Sequence, residues 1–520
     1  MEKKLPSIFN DVIGPVMRGP SSSHTAASWR IARVCLDILN EPLKYALIEF
    51  DQYSAWASNF REQGTVMGIN GGLLGLDITD DKMKDPENLA LEMGVEITYK
   101  ISSFPTTHTN TVRLSLEGKK GKKIQILAIS IGGGAFEIQK IDDFEVNIRG
   151  DYYEVLIRKN RFNKEFEGIK SIIPKSVYLY QSSDKGNSLV SLKSSRNISL
   201  EILKPLEQTI KFDEVMVVKP ILPVVSGNGE ELPFDSIASL NEYARINNMD
   251  LGEIGLLYEK CRSGLSEKVL NDKMKNIVEL IDTSIKRGLE GTKYTDRILP
   301  QQSHLIERAA REKKILKNTI LNNTIAYVTA IMEAKSAMEV IVANPTAGSC
   351  GTIGGVLKAV ADDQGSTFDE LTNAYFAAGI IGAYFAQGPG FSAEEHGCQV
   401  ECGAASGMAA AGIVQLLGGT TKEAIDAASM AIQNMIGLVC DPVADRVEVP
   451  CLGKNINAAM NAISASTMSL SGFDAVIPLN EVIQTISQVG AMMPACVKCT
   501  GQGGLATTST SIQIKKRLEN

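Results

Sequence analysis

The chain has 520 residues, 44% hydrophobic and 22% charged, with a formal net charge of −7 and nine cysteines. That balance describes an ordinary globular protein of several domains and excludes a dominant basic surface for nucleic acid. The N-terminus has no apolar signal core, and the most apolar run, Ala374–Ala386, is too short to span a bilayer, so a cytoplasmic protein with no membrane partner is expected. In a reducing compartment clustered cysteines point to metal binding or catalysis rather than to disulfides.

Residues 1–150 mix helical and strand patterns and close on the glycine run Gly132–Gly134, with the basic stretch Lys119–Lys123 reading as a solvated hairpin turn. In 151–220 the spacing predicts strands at Tyr153–Arg158, Ser176–Ser182, Ser188–Ser194 and Glu214–Lys219, and helices at Asn163–Ile173 and Ser199–Ile210, with a turn at Asp184–Asn187. This βαββαβ order resembles the small regulatory module called ACT. Residues 221–235, rich in Pro and Gly, read as a linker. From 236 to 520 the apolar residues recur at three- and four-residue spacing, and the last third is dense in Ala, Gly, Ser and Met, which predicts closely packed helices. The expected fold class is therefore multidomain: an α+β N-terminal domain, a small ACT-like domain and a large all-α catalytic domain.

Three cysteines stand in Gly397-Cys398-Gln399, Cys440-Asp441-Pro442-Val443 and Val449-Pro450-Cys451, a Cys-x41-Cys-x10-Cys pattern. Their spacing is that of neither a zinc finger nor a ferredoxin, and by spacing alone buried core thiols are the plainer reading. Their Gly and Pro neighbours place them in loops, where several thiolates can approach one cluster. Cys496 and Cys499 form a separate Cys-x-x-Cys pair.

These flanks resemble the iron–sulfur-dependent L-serine dehydratases. So do Asn344-Pro345-Thr346-Ala347-Gly348-Ser349-Cys350-Gly351, Met408–Gly412, Gly503–Ala506, Gly19-Pro20-Ser21-Ser22-Ser23-His24-Thr25-Ala26 and Ser130–Gly134. The resemblance implies a β domain, an ACT-like segment and an α domain fused in one chain, working as a homodimer on a small amino-acid substrate. It implies that Cys398, Cys440 and Cys451 hold a [4Fe–4S] cluster. Three thiolates for four irons leave one iron to act as a Lewis acid on the hydroxyl of L-serine or L-threonine, giving a 2-oxo acid and ammonia without pyridoxal phosphate.

Ser21, Ser22 and Ser23 would offer hydroxyls and backbone N–H groups to the substrate carboxylate, the alternative being that Ser23 only caps the following helix. Of the four histidines, His24 and His108 are candidates for proton transfer, and His396 for tuning the cluster. Thr346 and Ser349 would line the substrate, Lys454 would pair its carboxylate, and Asn455 follows it where the family has Arg-Asn.

Gln63-Gly64-Thr65-Val66 replaces the family's Gly-His-Gly-Thr-Asp, His396 precedes Cys398, and Lys498-Cys499-Thr500 replaces Arg-Glu-Thr. These departures leave the substrate open, with cysteine desulfidation or another β-substituted amino or hydroxy acid as alternatives. They also leave open whether Cys499 or Cys350 touches the cluster. A non-catalytic amino-acid sensor and a zinc site are the readings of another class.

Overall fold

The computed structural model describes residues 5–519 apart from 107, 161–171, 175, 185, 199–203, 205, 208–211, 228 and 295. It contains two compact units, one made of Met1–Ser22 with Glu230–Asn520 and the other of Ser23–Gly229. A short strand, β1 (Val16–Arg18), lies in the N-terminal part of the first.

The unit Ser23–Gly229 is sheet-rich. Helix α1 (Ala27–Leu39) buries Ile31, Val34, Cys35 and Ile38 on one face and stops at Asn40, whose left-handed backbone turns its N–H onto the Leu36 carbonyl. Then come β2 (Leu43–Asp51), α2 (Thr65–Leu73), α3 (Pro86–Glu92), β3 (Glu96–Ser102), β4 (Thr111–Gly118), β5 (Lys123–Gly132), β6 (Ala135–Ile141) and β7 (Phe144–Ile148). They form a six-stranded sheet in the order β3-β2-β4-β5-β6-β7, in which only β2 and β3 run parallel. The glycine run makes the β5–β6 hairpin turn, with φ of 93°, 59° and 84° at Gly132, Gly133 and Gly134. Buried Arg30 reaches across from α1 to donate to the Gly134 carbonyl at 2.7 Å.

A second sheet follows from β8 (Tyr153–Lys159), β9 (Tyr178–Asp184), β10 (Asn187–Ser194) and β11 (Glu214–Val218), wholly antiparallel in the order β11-β8-β10-β9. Each strand lies within two residues of where alternation predicts it, and β9 and β10 meet at the expected turn. The helices expected at Asn163–Ile173 and Ser199–Ile210 fall mostly outside the described residues.

The other unit is helical. Its elements are α4 (Ile237–Asn247), α5 (Leu251–Ser263), α6 (Glu267–Glu290), α7 (Ser303–Arg311), α8 (Thr319–Ser336), β12 (Val340–Val342), α9 (Cys350–Gln364), α10 (Phe368–Ala386), α11 (Ala393–His396), α12 (Cys402–Leu416), α13 (Thr421–Gln433), α14 (Cys451–Leu470), α15 (Leu479–Met492) and α16 (Ser509–Glu519). Ser236, Asp250, Thr367 and Thr420 each close a capping box at a helix start. Helix α12 is the axis, packed against α9, α10, α13 and α14. Its small residues are required by close approach: a Cβ on Gly407 would stand 2.6 Å from the Ile432 side chain.

This unit is not wholly α. The β-branched run Val340-Ile341-Val342 pairs antiparallel with β1, Val16 facing Val342, because β-branched side chains suit a pleated surface. Glu259 on α5 holds the chain's start, accepting from the Ser7 hydroxyl and the Ile8 N–H, both at 2.8 Å.

Candidate metal centre

The cysteines gather where helices begin. Gly397, with φ 74°, ends α11 and turns the chain into Cys398. Cys402 is the first residue of α12 and Cys451 the first of α14. Cys440 lies between α13 and α14, its N–H bonded to the Val497 carbonyl at 2.8 Å and its carbonyl accepting from the Cys499 N–H at 2.9 Å. Cys398, Cys440 and Cys451 are all buried.

The sulfurs of Cys398 and Cys440 and a carboxylate oxygen of Glu401 lie within 4.8 Å of one another. The Cys398 thiol also meets that of Cys402, and Cys440 meets that of Cys499. The Cys402 and Cys440 thiols, helped by the Lys454 ammonium, hold Cys398 well below the usual thiol range. Burial pushes Cys451 up to about 12. The Cys350 thiol lies 4.0 Å from the Met332 sulfur and is likewise pushed up to about 12 by burial.

Polar groups surround the thiols. Glu401 Oε2 is 3.7 Å from Cys398 Sγ, and the Thr346 hydroxyl donates to Glu401 Oε1 at 2.6 Å. Burial, followed by the charge of Cys398, pushes Glu401 up to about 8. Gly348 is needed beneath it, since a Cβ there would be 2.9 Å from Glu401 Oε1. The Ser349 hydroxyl donates to the Asn344 carbonyl at 3.0 Å. Asn455 accepts from the N–H and hydroxyl of Thr352, each at 3.0 Å, and donates to the carbonyls of Gly348 (2.7 Å) and Cys451 (2.9 Å). Lys454 Nζ donates to the Val439 carbonyl and to Asp441 Oδ1, both at 2.6 Å.

The loop from Cys440 to Cys451 is anchored at its middle. Lys335, fully buried, donates to the Val447 carbonyl, and Glu448 accepts from the Tyr294 hydroxyl at 2.7 Å. His396 rests on Gly490, and burial lowers its pKa; Nδ1 has no partner among the described residues.

Glu401, Cys402, Lys335 and Asn344 are absent from the residues predicted for the site. Glu401 and Cys402 stand three and four positions after Cys398, the spacing that puts side chains on one face of a helical turn, and that signal is readable. Lys335 and Asn344 carry no comparable signal.

Of the predicted residues, Ser21, Ser22, Thr346, Ser349, the three cysteines, Lys454 and Asn455 belong to the helical unit; Ser23, His24 and His108 belong to the sheet-rich one. Ser23 does not cap α1, whose cap is Ala26; its hydroxyl lies 3.4 Å from His24 Nδ1. His24 Nε2 is 2.9 Å from Asn59 Oδ1, its ring packs against Trp56, and burial pushes it down to about 4. His108 Nδ1 accepts from the Asn110 N–H at 3.0 Å.

The Cys398 and Cys440 thiols beside the Glu401 carboxylate form a soft-donor centre able to hold a metal, and the buried Cys451 sulfur is not among those three ligand atoms. Residues 170–506 match the family model described as serine dehydratase alpha chain. The chain is 32% identical over 506 residues to the L-serine dehydratase of Haemophilus influenzae, covering 94% of this chain and 96% of that one. It is 33% identical over 285 residues to the probable L-serine dehydratase alpha chain of Bacillus subtilis, covering 55% of this chain and 95% of that one. It is also 33% identical over 172 residues to the probable beta chain of the same organism, covering 33% of this chain and 76% of that one. The chain belongs to the serine dehydratase family. Among the described residues no helix is long and apolar enough to cross a membrane.

Proposed function

We propose that the protein is a [4Fe–4S]-dependent lyase that eliminates water from L-serine, with L-threonine as the neighbouring substrate, to give a 2-oxo acid and ammonia. The convergence of the Cys398 and Cys440 thiols with Glu401 in a chain of this family carries the reading. The donor set fits the group: buried thiols are the ligands iron–sulfur clusters take, and loops and helix starts leave their sulfurs free to point at a common centre. Cys398, Cys440 and Cys451 would hold the cluster, which when bound supplies a Lewis-acidic iron.

The protein's own groups supply the rest. Thr346 fixes the Glu401 carboxylate beside Cys398, and Asp441 fixes the Lys454 ammonium behind it. Asn455 holds the starts of α9 and α14 in register. With Asn59 Oδ1 as acceptor, His24 carries its proton on Nε2 and is neutral at pH 7, which suits a base. His108 is the second candidate for proton transfer, and Ser21, Ser22, Ser23 and Ser349 are candidate substrate contacts.

In this reading 1–150 is the β domain, 151–220 an ACT-like effector module, 221–235 a linker and 236–520 the catalytic domain. The antiparallel order β11-β8-β10-β9 supports the module, because it is the order that a βαββαβ chain adopts when it folds into one sheet. A cytoplasmic homodimer completes the proposal.

The test is anaerobic purification, iron and sulfide analysis, and a panel of L-serine, L-threonine, L-cysteine and glycerate assayed for keto acid, ammonia and sulfide. A brown protein forming pyruvate and ammonia from L-serine is expected. A colourless zinc protein, or sulfide from cysteine with no pyruvate from serine, would overturn the reading.

A further inference from the structure

Of the nine cysteines, Cys496 and Cys499 are partly exposed; the others, Cys398, Cys402, Cys440 and Cys451 among them, are buried. Cys499 borders the thiol centre, packed against the small buried group of Ala393, Cys398 and Cys440. Its N–H donates to the Cys440 carbonyl at 2.9 Å, and the Cys440 N–H donates to the Val497 carbonyl at 2.8 Å, so the two segments pair as a short parallel bridge. A second clamp follows one residue on, where Asp441 Oδ2 accepts from the Leu505 N–H at 3.0 Å.

The backbone bond keeps the Cα atoms of Cys440 and Cys499 within the reach of about 7 Å that a disulfide requires. Cys499 has a φ of 63°, a left-handed conformation that residues with a Cβ seldom adopt, and its thiol meets that of Cys440. Cys496 stands apart from this pair, in the short turn Ala495–Val497 with its carbonyl packed against Gly503. Cys398 meets both Cys402 and Cys440, but all three are buried. A partly exposed thiol in contact with a buried one is the arrangement in which an oxidant meets the first and the second resolves the product.

We propose that Cys440 and Cys499 are the site of a reversible disulfide that locks the thiol centre against metal once its metal is lost. The oxidant is a low-molecular-weight disulfide. The Cys499 thiolate attacks it, one small thiol leaves, and a mixed disulfide forms on Cys499. The Cys440 thiolate then attacks the Cys499 sulfur, and the second small thiol leaves. Two protein thiols give up two protons and two electrons to become one disulfide, and the small disulfide becomes two thiols. The bond takes Cys440 out of the donor set, so metal returns only after reduction. Of the proposed function this uses one element, Cys440 as a metal ligand.

Non-reducing tryptic mapping of the full chain tests it, because cleavage after Lys422, Arg446, Lys454 and Lys498 puts Cys440, Cys451, Cys496 and Cys499 on separate peptides. The protein is purified anaerobically, one portion is stripped of iron with a chelator, and both portions are treated with oxidised glutathione and then alkylated. Stripped wild type is expected to carry the Cys440 peptide linked to the Cys499 peptide, and dithiothreitol followed by iron and sulfide should restore its iron content. The iron-loaded portion should form the link about tenfold more slowly or not at all. Cys496→Ser should behave as wild type. Cys499→Ser should leave Cys440 open to alkylation after the glutathione treatment, since the oxidant reaches Cys440 through Cys499. Where either variant fails to fold, the wild-type map decides. No link in the stripped protein, or a link from Cys499 to Cys496 or from Cys440 to Cys398, overturns the proposal. If the iron-loaded portion forms the link as fast as the stripped one, metal ligation by Cys440 fails, and the lock and the reading of the centre fail with it. If iron protects Cys440 from alkylation but the stripped protein forms no link, only the disulfide fails.

Discussion

Asn455 uses both ends of its amide to join the start of α9, through Thr352, to the starts of α14 and the Gly348 turn. It is fully buried, so truncation leaves several donors and acceptors without water to replace it. Asn455→Ala is expected to cost about 2–4 kcal/mol in urea unfolding and to lower iron incorporation, because the first residue of α14 is Cys451. Asn455→Asp keeps the acceptor and loses the donors, and should fall between the two. A loss under about 0.5 kcal/mol would mean that the two helix starts are held by other contacts. The convergence of Cys398 and Cys440 was readable at this scale from their Gly and Pro flanks and from the family resemblance, whereas Cys451 stands outside that group. Lys335 and Asn344 were not: helical periodicity tells which residues face inward, but not that a buried ammonium clamps the Val447 carbonyl or that a buried amide has no partner among the described residues.

At the scale of elements, β8 carries a charge into the interior of the second sheet. Glu154 is 0% exposed, accepts from the Ser191 hydroxyl at 3.0 Å, and has Oε1 3.3 Å from Lys193 Nζ. Burial outweighs Lys193 and, with nearby Asp151, pushes its carboxyl up to about 7. Between its ordinary pKa of 4.5 and about 7 the folded protein binds the extra proton, so stability falls as pH rises through this window. The cost is absent below the window and fully present above it. Glu154→Gln, which mimics the protonated form, should therefore gain on the order of 3 kcal/mol relative to wild type between pH 4.5 and 8, measured by urea unfolding. A constant difference across that range would show that Lys193 compensates the charge fully. The strands around Glu154 were legible as short apolar runs bounded by polar residues, and in β8 Val155 and Ile157 enter one core cluster while Leu156 between them enters another. The strand β12 was not, since three residues between helices are too few for a period of two to register.

At the scale of the whole chain, the helical unit is assembled from two stretches separated by more than two hundred residues, with Ser23–Gly229 inserted between them. Composition could show that the last third is helical, yet nothing local shows that the first twenty-two residues belong with it, because long-range pairing leaves no periodic trace. That N-terminal stretch is held by the β1–β12 pairing, by the Glu259 carboxylate, by the Tyr258 hydroxyl on the Pro6 carbonyl and by Phe9 packed edge-on against Phe376 of α10. Glu259 is fully buried and also takes two bonds from Arg262, at 2.9 and 2.7 Å. Glu259→Ala removes the acceptor for Ser7 and Ile8 and leaves the Arg262 guanidinium buried without its partner. Breaking one side of a buried ion pair costs about 3–5 kcal/mol, more than its removal as a pair. The variant should therefore unfold at markedly lower urea and expose the N-terminal segment to proteolysis, while Glu259→Ala combined with Arg262→Leu recovers part of the loss. If the single variant matches wild type in both assays, the β1–β12 pairing and the apolar packing of Phe9 are sufficient to carry the chain's start, and Glu259 serves only its own helix.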